Sequence, residues 1–164
     1  MKKCGATALV FIALASQAAA LSCTPPNIGH SFNHVAASKD TYVMGQGKLT
    51  ATGDIPKYQQ GQPRQIPAEF TGVFYGLSGP SGERTVPVTV DAVCFASWCG
   101  GFPKTDKTMV VFLKQSPTGY RLESNPCAGD FKIAPTQKDM RILKKCLKKG
   151  KCSKAQVQAL EIKF

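Results

Sequence analysis

Only two histidines occur in the chain, His30 and His34, and they stand four residues apart. On a helix that spacing sets both imidazoles on one face, as two ligands of a metal ion would be set. The intervening Ser31, Phe32 and Asn33 carry no carboxylate, however, and no Asp or Glu precedes Asp40. A third ligand would have to come from elsewhere, whereas surface or packing histidines lack nothing, so no metal and no other cofactor is assigned. Nucleophilic catalysis has still less to work with. The chain has neither a Gly-x-Ser-x-Gly elbow nor a Ser-x-x-Lys pair, the local arrangements that activate a serine. Acidic residues such as Glu69 and Glu83 would act as general acid and base only if the fold brought distant carboxylates together. No catalytic residue is named, and the chain is expected not to be an enzyme.

Cysteine carries the strongest chemical signal. Seven are encoded, of which Cys4 lies in an N-terminal segment expected to be removed, leaving Cys23, Cys94, Cys99, Cys127, Cys146 and Cys152. An even set reads as disulfides in an oxidising compartment and as metal or redox work in the cytosol. No Cys-x-x-Cys pair and no matched pair of zinc knuckles is present, which favours bridges. Six cysteines allow many pairings that sequence alone does not choose among. Two local pairs, Cys94 with Cys99 and Cys146 with Cys152, are geometrically easy, and would leave Cys23 for Cys127. That long bridge would close a loop of about a hundred residues and contribute about 2 to 5 kcal/mol.

Two further features are candidates for binding. Trp98, the only tryptophan, lies between Cys94 and Cys99, in a loop that a short bridge would stiffen into a recognition anchor. Tryptophans are buried on average, so the expected placement is as core, capping the open end of a barrel. Gly100 and Gly101 beside it permit close approach of a neighbouring backbone or a ligand. The second feature is a basic run. Lys138, Arg141, Lys144, Lys145, Lys148, Lys149, Lys151 and Lys154 face Asp139 alone, and such a surface attracts anionic polymers or simply keeps a small protein soluble.

The elements that must position these residues are mostly strands. Residues 41–52 (TYVMGQGKLTAT) read as a strand interrupted by Gly45 and Gly47, with a bulge or sharp coil. Residues 53–68 are rich in Gln, Pro and Gly and read as an exposed loop. Residues 69–77 are a second strand, and 78–83 a turn. In 86–94, Val86, Val88, Val90, Ala92 and Cys94 share one face while Thr89 and Asp91 take the other, the pattern of a half-buried strand. Met109 to Leu113 is a continuous apolar run, a buried strand, and the turn at 116–119 leads to a fifth strand at 120–124. Five strands in succession predict a small antiparallel barrel. The period then changes. Thr136 can cap a helix over about 137–149, with Asp139 in its first turn, Met140, Leu143, Cys146 and Leu147 as an apolar stripe, and Gly150 to end it. A shorter helix is expected at 155–160.

The N-terminus has the anatomy of an export signal: Lys2 and Lys3, an apolar run over 6–15, then small residues to Ala20. Cleavage after Ala20 starts the mature chain at Leu21. The run falls short of the roughly 20 residues that span a bilayer, which argues against an uncleaved anchor and leaves no membrane span in the mature chain. Lipidation of Cys23 is a third reading, carried poorly by Ala20-Leu21-Ser22. The remaining 144 residues suit one domain with a hydrophobic core. Losing Lys2 and Lys3 takes the 21 basic residues to 19, against 10 acidic ones, a mature charge of +9.

Cys23-Thr24-Pro25-Pro26, followed by Phe32 and a strand at Tyr42-Val43, resembles the opening of the netrin-like domain of tissue inhibitors of metalloproteinases. The strand at 110–113, the turn after it and the strand leading to Cys127 resemble that domain's fourth and fifth strands. The segment 87–100, ending CFASWCG, is similar to exported bacterial proteins without assigned roles. The resemblance covers about residues 23–131. It implies an oligonucleotide/oligosaccharide-binding (OB) type barrel flanked by helices, and a bridge from Cys23 to Cys127. It does not carry over the inhibitors' mechanism: their chain begins with a bridged cysteine whose amine and carbonyl chelate zinc, and Leu21 stands in that place here. Asn33 likewise stands where a further cysteine is expected.

Two functions of different class follow. The first is a non-enzymatic exported binding module, periplasmic or secreted, that holds another exported protein through the opening segment and the Trp98 loop, inhibitor-like in character. The second is an electrostatic binder of an anionic envelope or polymer through Lys144, Lys145, Lys148 and Lys149. An enzyme of undetermined class is third.

Overall fold

The computed structural model describes Cys23, residues 26–104 and residues 106–161. The expected export signal lies outside the described residues. The chain enters through α1 (Ile28–Ala37), followed by three long strands, β1 (Tyr42–Ala51), β2 (Arg64–Gly76) and β3 (Gly79–Ala92). A two-stranded hairpin, β4 (Cys94–Phe95) and β5 (Trp98–Cys99), precedes β6 (Met109–Ser116) and β7 (Gly119–Asn125). The short strands β8 (Ala128–Gly129) and β9 (Phe131–Ile133) lead to α2 (Gln137–Lys149) and α3 (Lys154–Ala159).

Five of these strands close a barrel. β1 pairs with β2 and with β6, β2 with β3, β3 with β7, and β7 with β6. The expectation of a purely antiparallel barrel is corrected: β3 and β7 run parallel, with Val88 opposite Tyr120 and Val90 opposite Leu122. The reason is topological, since direction cannot alternate all the way round a ring with an odd number of strands. One pair has to be parallel, and it is β3 with β7, which are joined through the β4–β5 hairpin and β6 rather than by a direct turn.

Two apolar clusters hold the fold, and β6 serves both. Met109, Val111 and Leu113 point into the barrel with Ile66, Phe70, Val90 and Leu122. Val110 and Phe112 point outward, against α1, α2 and α3 through Phe32, Met140, Leu143 and Leu160. A strand covered on both faces needs apolar residues at every position, which is why 109–113 shows no alternation. β3, covered on one face, alternates as expected, with Val88, Val90 and Ala92 buried.

Two strand boundaries and the place of one bulge differ from the sequence reading. β2 begins at Arg64, so the exposed loop is shorter than 53–68; Ile66 and Ala68 are barrel core. Pro67 is tolerated because the β1 ladder stops at Ala51 opposite Ala68, and no strand there demands its missing N–H. β3 begins at Gly79, within the stretch read as a turn, and forms with the end of β2 an exposed arm tipped by Leu77. Gly45 and Gly47 make no bulge in β1, whose register is continuous; a Cβ on Gly47 would sit 2.6 Å from the Cα of the facing Gly72, so the two strands approach closely there. The bulge falls in the β2–β3 ladder, between Val73 and Tyr75.

All three bridges are present: Cys23–Cys127, Cys94–Cys99 and Cys146–Cys152. With its sulfur in a bridge, Cys23 has none to carry a lipid. No described helix is long and apolar enough to cross a membrane.

Candidate functional site

α1, absent from the sequence reading, is the first wall of the site. Asn27 caps it, its Oδ1 accepting from the Gly29 N–H at 2.8 Å, while its Nδ2 donates to the Val157 carbonyl of α3 at 2.9 Å. Ile28, Phe32 and Val35 recur at helical spacing and are buried against the other helices. Asn33 fixes the second anchor: its Nδ2 donates to the Cys152 carbonyl at 3.0 Å, and its Oδ1 accepts from the Cys152 N–H at 2.7 Å. This exchange holds α1 to the loop closed by Cys146–Cys152. With the apolar face so used, His30 and His34 are left exposed on the opposite side.

The second wall is the stapled hairpin. Cys94 faces Cys99 and Phe95 faces Trp98 across the two strands, so both rings lie on one face of the hairpin. Ala96 in the turn is left-handed, at φ 51°. The Ser97 carbonyl accepts from the Tyr58 hydroxyl at 2.9 Å and from the Gly61 N–H at 3.3 Å. Arg64 braces the base, donating to the carbonyls of Pro56 and Gly100 at 2.9 Å each, with its guanidinium 5.5 Å from the Tyr58 ring centroid. Gly100 is where a backbone approaches: a Cβ there would lie 2.1 Å from the Ser124 carbonyl oxygen. The close neighbour is the barrel itself.

Between the walls run two adjoining clefts, of about 710 and 630 Å³. The smaller takes Pro26, His30 and Ser31 from the opening segment and Phe95 from the hairpin; the larger takes Tyr42, Arg64, Asp91, Lys114 and Arg121 from the barrel. His34, Glu123 and Asp130 line both and form their common floor. Most charges here are matched. Asp91 receives both Nε and Nη2 of Arg121, the former at 2.7 Å, and Asp40 lies 2.7 Å from Lys114 Nζ, whose ammonium is held above its ordinary value chiefly by that hydrogen bond. Asp130 is the exception. It is 9 % exposed, and no described residue donates a hydrogen bond to its carboxylate. Burial, then the negative charge of Glu123, push its pKa up to about 6, against the opposing pull of His34. The Tyr42 phenol is also raised, by burial first and then by Asp130.

No family model matches the chain, and neither a curated protein nor a solved structure does.

Trp98 is not core. It is 64 % exposed and Phe95 42 %, which corrects the expectation that Trp98 caps the barrel. The hairpin forms its own two-stranded sheet, apart from the barrel's, and carries both rings on its exposed face. Lys144, Lys145, Lys148 and Lys149 lie exposed on α2, Lys144 with its Nζ 4.6 Å from the Tyr75 ring centroid. None of them lines either cleft. Glu69 and Glu83 are not brought together: Glu69 faces Pro87 and Glu83 faces Val73, four ladder steps apart, or about 14 Å along a strand. Among the described residues no three of His, Cys, Asp and Glu are grouped to hold a metal ion. The sequence reading missed Phe95, Glu123 and Asp130. Phe95 had a usable signal, a second aromatic inside the Cys94–Cys99 staple; the two carboxylates had none.

Proposed function

We propose that the protein is an exported, non-enzymatic binding module that holds another exported protein in the groove between α1 and the Cys94–Cys99 hairpin. The observation that carries this reading is that Phe95 of the hairpin and Pro26, His30 and His34 of the opening segment line one groove, with Trp98 exposed beside it. Exposed aromatics on a rigid support make good anchors because little entropy remains to be lost on contact. The staple, the left-handed Ala96 and the tethers to Ser97 supply that rigidity. Export is supported by the three bridges, which persist in oxidising compartments. A netrin-like, OB-type barrel is the architecture we favour, on the strength of the five-strand closure with a helix at the opening end and the Cys23–Cys127 bridge.

The test is a photo-crosslinking residue at position 95 in the exported protein of its native cell. The expected result is a discrete protein adduct that Trp98→Ala abolishes and that Lys→Gln changes at 144, 145, 148 and 149 leave in place. No adduct, or one indifferent to Trp98→Ala, refutes the reading. The electrostatic alternative makes the opposite forecast: the four Gln changes would abolish salt-sensitive retention on an anionic resin.

A further inference from the structure

The floor of the groove has a charge with no partner, in a protein whose overall charge is strongly positive. Asp91 and Asp40 in the same cleft are each satisfied by a cation of their own, Arg121 and Lys114. Glu123 accepts from Asn125 Nδ2 at 3.2 Å. The Asp130 carboxylate, nine-tenths buried, lines both clefts and receives no hydrogen bond from a described residue. Its backbone is fixed, with the N–H donating to the Glu123 carbonyl at 3.1 Å and the carbonyl accepting from the Phe112 N–H at 2.8 Å. The backbone is thus held in place while the side chain opens onto the two clefts. Its oxygens open to the clefts rather than being sealed from solvent, so a donor on a ligand can reach and complete them.

We infer that the groove takes a lysine or arginine side chain of the partner, its cationic head seated between Asp130 and Glu123 and its aliphatic stem lying along Phe95. This rests on the binding-module reading and names what the partner must present. The chemistry selects it: two carboxylates at the end of a groove with an aromatic wall suit an N–H-donating head on an apolar stem. The described His, Cys, Asp and Glu side chains do not converge as metal ligands, so a bare divalent ion is the poorer fit. Affinity should fall as pH is lowered through about 6, where Asp130 takes up its proton. The other titrating or charged groups facing it are Glu123, His34 and Tyr42, with Lys114 and Arg121 already engaged by Asp40 and Asp91.

The experiment is an NMR titration of the intact, oxidised protein at pH 7.5 with Nα-acetyl-lysine N-methylamide. The neutral isostere Nα-acetyl-norleucine N-methylamide and calcium chloride serve as controls. We expect saturable shifts centred on Asp130, Glu123, His34 and Phe95 with the lysine probe alone, weakened at least about tenfold by Asp130→Asn and to a lesser degree by Glu123→Gln. A tenfold loss corresponds to one buried charge pair. Equal shifts from the norleucine probe, unchanged affinity in both variants, or a response to calcium alone would each overturn the inference. The crosslink at position 95 separates this from the parent reading. An adduct that survives Asp130→Asn at full strength removes the cation site and leaves the module; lysine binding with no adduct removes the partner and leaves the site.

Discussion

Replacing Asp130 with asparagine should make this protein more stable at neutral pH, although it removes a charge from the middle of the candidate site. The carboxyl's pKa is raised from 3.8 to about 6 on folding, so the folded state favours the protonated form. Below 3.8 the group is neutral in both states and has no effect. Between 3.8 and 6 the unfolded chain releases the proton more readily than the folded one, and stability falls; above 6 the loss is complete. Some two pH units of difference correspond to about 3 kcal/mol. Asparagine has the same shape and no charge to desolvate, but its amide also needs partners, which reduces the net gain at pH 7.5 to about 1 to 2 kcal/mol. The assay is urea unfolding of both oxidised proteins, followed by far-UV circular dichroism, at intervals from pH 4 to pH 7.5. Subtracting the two curves cancels every other titrating group. The variant should gain about 3 kcal/mol on the wild type across that range. A difference that stays flat with pH would show that Asp130 is solvated or already paired, and the argument for a ligand would go with it.

Two further outcomes bear on the scaffold. Asp139 is the counter-case: burial pushes its carboxyl up, but hydrogen bonds from the Thr136 backbone and from Lys132, 3.0 Å away, outweigh burial and hold it below its ordinary value. Its contribution is present above 3.8 and lost as pH falls through the lowered folded value. Asp139→Ala should cost about 2 to 4 kcal/mol at pH 7, because it removes the capping box of α2 and leaves Lys132 half-buried and unpaired, as denaturant midpoints will show. Replacing Cys23 and Cys127 together with serine should cost about 2 to 5 kcal/mol while leaving the far-UV spectrum native. An equal loss from the far smaller Cys94–Cys99 loop would contradict the assignment of loop closure as the cause.

How much of this could be read beforehand depended on whether the cause of each feature was local. α2 is local throughout: Thr136 and Asp139 cap one another, Met140, Leu143 and Cys146 repeat at helical spacing, and Gly150 ends the helix at φ 70°. β3 and β6 were legible because their burial on one face or two is written in their alternation or its absence. α1 was legible in principle, since Asn27, Ile28, Phe32 and Val35 give a cap and a stripe, but its shortness and two glycine- and serine-bearing turns hid it. The start of β2 was hidden by Pro67, whose tolerance depends on where the β1 ladder stops. The parallel β3–β7 pair follows from closure, a property of the whole ring rather than of any strand. The site was the least legible part. Asp130 meets Glu123 across the β7–β8 turn, and His34 joins them only because α1 is docked by Asn27 and Asn33 onto α3 and Cys152, which no spacing in the chain encodes.

The same docking explains why the two candidate binding surfaces are separable. α1 has an apolar face directed at α2 and α3 and a histidine-bearing face directed at the groove. Its two faces thus separate the helical core from the groove that Asp130 lines. None of Lys144, Lys145, Lys148 and Lys149 lines either cleft, and the Asp130 value is set by burial and Glu123, which raise it, and by His34, which lowers it. The raised value and the absence of those lysines from either cleft are two expressions of one arrangement. In a chain with this excess of cations, Asp130 keeps no cation of its own because the basic residues of α2 lie outside the groove that α1 walls.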